Sequence, residues 1–298
     1  MKGEVVHTGH TAPIYALSKA RDGGLLTGGG DGRLLLWHAS RPQEVRAVAE
    51  VPAAIQSILV SQRLLFLGTS TGELLVIDDK RRVVVRRIQA HERGIFSIIT
   101  LDADRIACAG GDGGLSIWHL AGNNAVQRQR LLPLSDGKLR GLALASRGDL
   151  LAVACGDGTV HVLDTKQFNE VGTCTGHEGG AMAVHFHPQK AVLLSGGKDG
   201  HLRAWSMSDG YREVLSVAAH RSTIYCIAFD EDGRRLASAS RDRTVKVWGA
   251  GSLHPLCRSE ANSRGHTHSA NALCFAGDEL FSAGDDRRLI RWSLDLHE

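Results

Sequence analysis

A histidine, a hydroxyl and an aspartate recur together along this chain, and that trio is the equipment of nucleophilic acyl transfer. His10, Thr27 and Asp31 form one set, His177, Ser195 and Asp199 a second. His220, Ser238 and Asp242 form a third, and His266, Ser282 and Asp286 a fourth. A fifth, His91, Cys108 and Asp112, has a thiol where the others have a hydroxyl. A reaction centre needs such a trio once, and five near-copies at even spacing argue for architecture. None of these residues is assigned a catalytic role.

Other groups that could do chemistry are weaker. His185 and His187 alternate on one face of a strand and would supply half a zinc site, but no cysteine or carboxylate lies near enough in sequence to complete it. A strand-end surface pair is the simpler reading. His268 lies beside His266, which already belongs to a trio. The glycine runs 28–32 and 110–114 resemble phosphate cradles, yet neither leads into a helix or a Lys-Ser/Thr pair, so they read as hairpin turns. No metal and no cofactor is expected.

The elements that must position these residues are short strands. In 219–248, the runs around Ile224–Phe229, Leu236–Ser240 and Thr244–Trp248 are apolar or β-branched and bounded by turn residues. No segment has the length and period of an amphipathic helix. The same pattern is written seven times, ending at Trp37, Ile77, Trp118, Leu163, Trp205, Trp248 and Trp292, which lie 40 to 45 residues apart. All five tryptophans of the chain occupy this one position. The aspartate sits six residues before it, the hydroxyl or thiol ten before, and the histidine 20 to 22 before the aspartate.

This period, with its histidine start and tryptophan end, resembles the WD40 repeat family along essentially the whole chain. The resemblance implies an all-β, seven-bladed propeller with four-stranded antiparallel blades, one domain over 1–298. It also implies a buried hydrogen-bonded chain in each complete repeat. His220 would join Asp242 to Ser238, and Ser238 would accept from the Trp248 indole. Burial demands such partners for imidazole, hydroxyl and indole alike. In repeat three, with Cys108 and Trp118, the chain is expected to be weaker. Repeat two has Leu67 and Thr71 at the hydroxyl and aspartate positions, and repeat four keeps Asp157 but has Val153. Apolar packing is expected to replace the hydrogen bonds there. The last repeat lacks a fourth strand, and residues 3–8 are expected to supply it and close the ring.

Composition fits. Of 298 residues, 43% are hydrophobic and 5% aromatic, with 35 glycines and 6 prolines, so aliphatic side chains must fill the core between many tight turns. The formal charge of +3 is small for this length and argues against a nucleic-acid-binding surface. The densest basic run, Lys80-Arg81-Arg82, reads as a solvated turn. No run approaches membrane-spanning length, and the amino end has no signal-like apolar core. The six scattered cysteines suit a reducing compartment, either cytoplasm or nucleus, with cytoplasm preferred.

The resemblance also implies where binding would occur. Five residues after each histidine, at the start of the innermost strand, stand Tyr15, Phe96, Met182, Tyr225 and Asn271, and alignment adds Gln56 and Arg140. The residues preceding the turn aspartates, Gly30, Ser70, Gly111, Gly156, Lys198, Arg241 and Asp285, are expected on the same rim. Aromatics with a charged margin have the composition of a protein-binding hot spot. The expected function is a non-catalytic scaffold that binds peptide segments of other proteins, as a monomeric fold within a larger complex. Lys198, Arg241 and Arg140 would favour acidic or phosphorylated segments. Phe96 and Tyr225 would alternatively clamp an inserted arginine. A nucleic-acid-associated subunit and an enzyme with a channel-mouth site are the competing classes.

Overall fold

The computed structural model describes residues 1–7, 9–38, 44–61, 63–121, 125–259 and 264–294. Its strands form seven four-stranded antiparallel sheets. Blades one to six fall within 14–50, 55–89, 95–133, 139–174, 181–218 and 224–258, each with its strands in sequence order from the channel outward. Blade seven takes three strands from 270–293 and its outermost, Lys2–His7, from the other end of the chain. That strand runs antiparallel to Leu289–Ser293, with Gly3 opposite Trp292 and Val5 opposite Ile290. The expected closing strand is therefore present, although Thr8 lies outside the described residues. Gly3 is required by close approach: a Cβ there would fall 2.7 Å from the Trp292 ring and 2.5 Å from the Arg264 carbonyl.

The core lies between blades. Leu26, Leu34 and Leu36 of blade one pack on Ile55, Leu65, Leu67, Leu75 and Ile77 of blade two. Ile14, Leu25, Leu35 and Trp37 meet Phe281, Ala283 and Leu289 of blade seven on the other side. Second strands are buried on both faces and read as continuous apolar or small runs, such as LLFLGT at Leu64–Thr69 and LLAVAC at Leu150–Cys155. The turns into the outer strands add a lock. Phe168, Tyr211 and Leu253 take the left-handed conformation, at φ 62°, 62° and 52°, which bulky residues seldom adopt. All three are buried. Tyr211 lies on Gly172 of the preceding blade, where any Cβ would strike its ring at 2.1 Å.

Four blades carry the hydrogen-bonded chain as the repeat spacing places it. In blade six, His220 Nδ1 is 3.1 Å from Asp242 and its Nε2 is 2.7 Å from Ser238, which accepts from the Trp248 indole at 2.8 Å. Blade one has His10 to Asp31 at 3.0 Å and to Thr27 at 2.8 Å, with Trp37 donating to Thr27 at 2.6 Å. His177, Asp199, Ser195 and Trp205 do the same in blade five, and His266, Asp286, Ser282 and Trp292 in blade seven. Burial pulls the His10, His177 and His220 imidazoles below their usual range despite the facing carboxylates. Burial alone would raise Asp242, but hydrogen bonds from His220, Thr244 and the Arg221 amide outweigh it and hold the carboxyl well below the usual range.

Blade three corrects the reading of Cys108. Its chain is complete, because Ser116 on the third strand supplies the hydroxyl: His91 Nε2 is 2.8 Å from Ser116 Oγ, and the Trp118 indole donates to the same oxygen at 2.8 Å. His91 meets Asp112 at 2.9 Å. Cys108 pairs with Ser116 across the ladder, so the hydroxyl has moved one strand outward while staying between the same two rings. Cys108 is left as a buried apolar filler, its thiol pushed far above the usual range by burial.

Blades two and four depart as their sequences do. Leu67, Leu75 and Ile77 are fully buried in blade two, and Thr69 holds the turn by accepting from the Glu73 amide at 3.0 Å. In blade four Ser135 stands where the histidine would be and donates to Asp157, which also accepts from Thr159.

Candidate functional site

The hub of the molecule is built by a repeated irregularity. In every blade the innermost strand loses register at its second residue: the ladder to the next strand skips from Ile14 to Ala16, Ile55 to Ser57, Ile95 to Ser97 and Leu139 to Gly141. The skips from Ala181 to Ala183, Ile224 to Cys226 and Ala270 to Ala272 complete the set. Each skipped residue is the extra member of a β-bulge, a device that bends a strand and re-aims one side chain. These seven residues are Tyr15, Gln56, Phe96, Arg140, Met182, Tyr225 and Asn271. Together with Asp285 they line one cavity of about 350 Å³ at the channel mouth.

The mouth has internal order. Arg140 places its guanidinium carbon 4.2 Å from the Phe96 ring centre, and Lys138 its ammonium 5.7 Å from the same ring. Burial pulls the Arg140 pKa below its ordinary range, which nearby Tyr225 only partly offsets. On the far arc Asn271 Nδ2 donates to Asp285 at 2.8 Å and to the Ile14 carbonyl at 2.9 Å, tying blade seven to blade one. Burial raises the Tyr15 hydroxyl, with Asp285 adding to the shift.

The turn residues split into two groups. Gly30, Ser70, Gly111 and Gly156 are small and leave a low wall along blades one to four; a Cβ on Gly111 would come within 2.9 Å of Phe96. Of the larger ones, Asp285 joins the mouth, whereas Lys198 and Arg241 are exposed on the rim outside its lining. The expected arginine clamp also needs correcting: the Phe96 face is already covered by Arg140 from the neighbouring blade. Sequence reasoning missed Lys138, whose only signal is its place two residues before Arg140.

The histidine pair is not a surface feature. His187 is buried, both rings pack on Phe229 at 5.1 and 5.2 Å, His185 donates to the Phe186 carbonyl, and His187 accepts from the Gln189 and Lys190 amides. Among the described residues no group of three or more metal-ligating side chains converges. No helix of the described residues is long and apolar enough to cross a membrane.

Comparison with known proteins agrees with this geometry. A family model described as "WD domain, G-beta repeat" matches residues 3–38, 168–206 and 212–249. The chain is 26% identical to a WD repeat-containing protein 55 homolog of Dictyostelium discoideum, over 67% of this chain and 48% of that protein. It is 27% identical to a U3 small nucleolar RNA-associated protein 15 homolog of Gallus gallus, over 62% of this chain and 35% of that one. It thus spans about half or less of the length of these relatives. The crystal structure of the computationally designed Ika8 protein superposes with a TM-score of 0.74 at 20% identity, covering 98% of this chain and 99% of that one. Seven four-stranded blades closed by the first strand, WD40 repeats matched at repeats one, five and six, and the recurring His–Ser/Thr–Asp–Trp chain lead to one conclusion: this protein is a seven-bladed β-propeller that carries WD40 repeats.

Proposed function

We propose that this chain is a non-catalytic platform that captures peptide segments of partner proteins at the channel mouth. One observation carries the reading: seven bulge residues, three of them aromatic, converge with Asp285 on a single cavity. Its 350 Å³ is at the small end of ligand-sized cavities, suited to an inserted side chain with its flanking peptide across the rim. Aromatic anchors surrounded by polar groups are what hot spots are made of. Among the described residues the His–Ser/Thr–Asp sets are consumed by indole and turn bonds within the blades and do not line the mouth.

The test is affinity purification with mass spectrometry, comparing the intact chain with F96A/Y225A. Partners present with the intact chain should be lost with the variant while the melting curve changes little. An unchanged partner set would refute the reading. The chicken relative's name associates that protein with RNA; binding of generic RNA to this chain at physiological salt, with a steep salt slope, would favour a nucleic-acid role instead. Cytoplasmic residence is checked by imaging a tagged chain, and a nuclear signal would correct it.

A further inference from the structure

Charge is distributed unevenly around the hub, and blades three and four create the asymmetry. Arg140 holds its guanidinium carbon over the Phe96 ring, 4.2 Å from the centre, with the Lys138 ammonium 5.7 Å from the same ring. A ring face attracts cations through its quadrupole but offers no lone pair. The N–H donors of Arg140 therefore remain available: among the described residues it enters no hydrogen bond and no ion pair. Asp285, the carboxylate of the lining, is held by Asn271 on another blade. Beside the Arg140–Phe96 pair the turn residues are Gly111 and Gly156, so no side chain from either turn walls it off.

We propose that this corner of the hub accepts one anionic side chain of a bound peptide, a carboxylate or a phosphoryl group, with Arg140 reading the charge and Phe96 fixing the guanidinium plane. The inference rests on the hub-capture reading and narrows it. An incoming anion gains charge-assisted bonds from a guanidinium that has no existing pair to break. Stacking on Phe96 has already restricted the arginine, so less side-chain freedom is lost on binding. A phosphoryl group, with nearly two charges and three acceptor oxygens, engages both Arg140 and Lys138, whereas a carboxylate has charge for one. An inserted arginine meets the opposite situation, a covered ring and like charge.

The test titrates the full chain with short peptide sub-libraries, randomised except for a central phosphoserine, glutamate, glutamine, arginine or leucine. Phosphoserine should bind tightest, then glutamate, each by about tenfold or more over glutamine, which is about 1.4 kcal/mol. R140Q should remove that preference, R140K should retain part of it, and added salt should weaken the anionic arms. R140Q should melt close to the intact chain, since among the described residues the half-buried Arg140 side chain has no hydrogen bond or ion pair for the substitution to break. Best binding by the arginine or leucine arm, an anionic preference that survives R140Q, or no arm above glutamine would each overturn the inference. M182A/Y225A keeps the Arg140–Phe96 pair and separates the two claims. If it abolishes binding that shows no anionic preference, only this inference fails. Binding indifferent to both M182A/Y225A and F96A/Y225A removes the hub reading itself.

Discussion

Blade six and blade two fold into the same four-stranded wedge by different chemistry. In blade six an imidazole, a hydroxyl, a carboxylate and an indole form one chain of bonds from the turn to the core. In blade two the corresponding space holds Leu67, Leu75 and Ile77, all fully buried. Blade four keeps only the turn carboxylate with Ser135, and blade three keeps everything but moves the hydroxyl to Ser116. What a blade requires is thus a filled wedge and a satisfied turn. The polar chain meets both requirements with one set of residues, while the apolar blade divides them between leucines and Thr69.

Experiments can press on that contrast. The largest effect should come from deleting residues 1–8, which takes the outermost strand from blade seven although its polar chain remains; the melting temperature should fall further than in any single variant. An unchanged melting curve would mean the strand does not close the ring. Next, L67A in blade two should cost about 2–5 kcal/mol through a cavity, and S238A in blade six about 1–3 kcal/mol by stranding His220 and Trp248. Denaturant titration compares them, and a costlier serine would reverse the ranking of packing over hydrogen bonding. S116A should cost a similar 1–3 kcal/mol, and C108S/S116A should recover most of it by returning the hydroxyl to its usual strand; no recovery would show that the position itself matters.

Acid should distinguish the blades more subtly. The folded chain holds His10, His177 and His220, and Asp31, Asp199 and Asp242, below their ordinary values. The unfolded chain therefore binds protons first. Stability is complete above about pH 6.5 and falls as pH drops through the lowered histidine values. It falls again below about pH 3.9 as the lowered carboxylate values are passed. Hydrogen exchange between pH 7.5 and 5 should show blade six amides losing protection before those of blade two. Equal loss in both would place the acid response elsewhere.

The blades were legible because the tryptophan position recurs in sequence, and five of the hub residues because they keep a fixed offset from a histidine, with Gln56 and Arg140 found by aligning the repeats that lack one. Their bulges were not, since register is a property of two strands together. Ser116 was hidden for the same reason: it faces Cys108 across a ladder, eight residues along the chain. The Arg140–Phe96 stack joins adjacent blades, a contact no single repeat contains. Phe168 and Tyr211 read as ordinary turn neighbours, because local preference disfavours their left-handed backbone and only the apolar gap beneath explains it.

Because each hub residue is the supernumerary member of its strand, exchanging it disturbs no ladder partner. The frame is therefore indifferent to its own address: on the proposed mode of capture, transplanting phenylalanine and arginine to the Tyr15 and Gln56 sockets would carry the anion-reading corner around the axis, with the seven sheets left as they are.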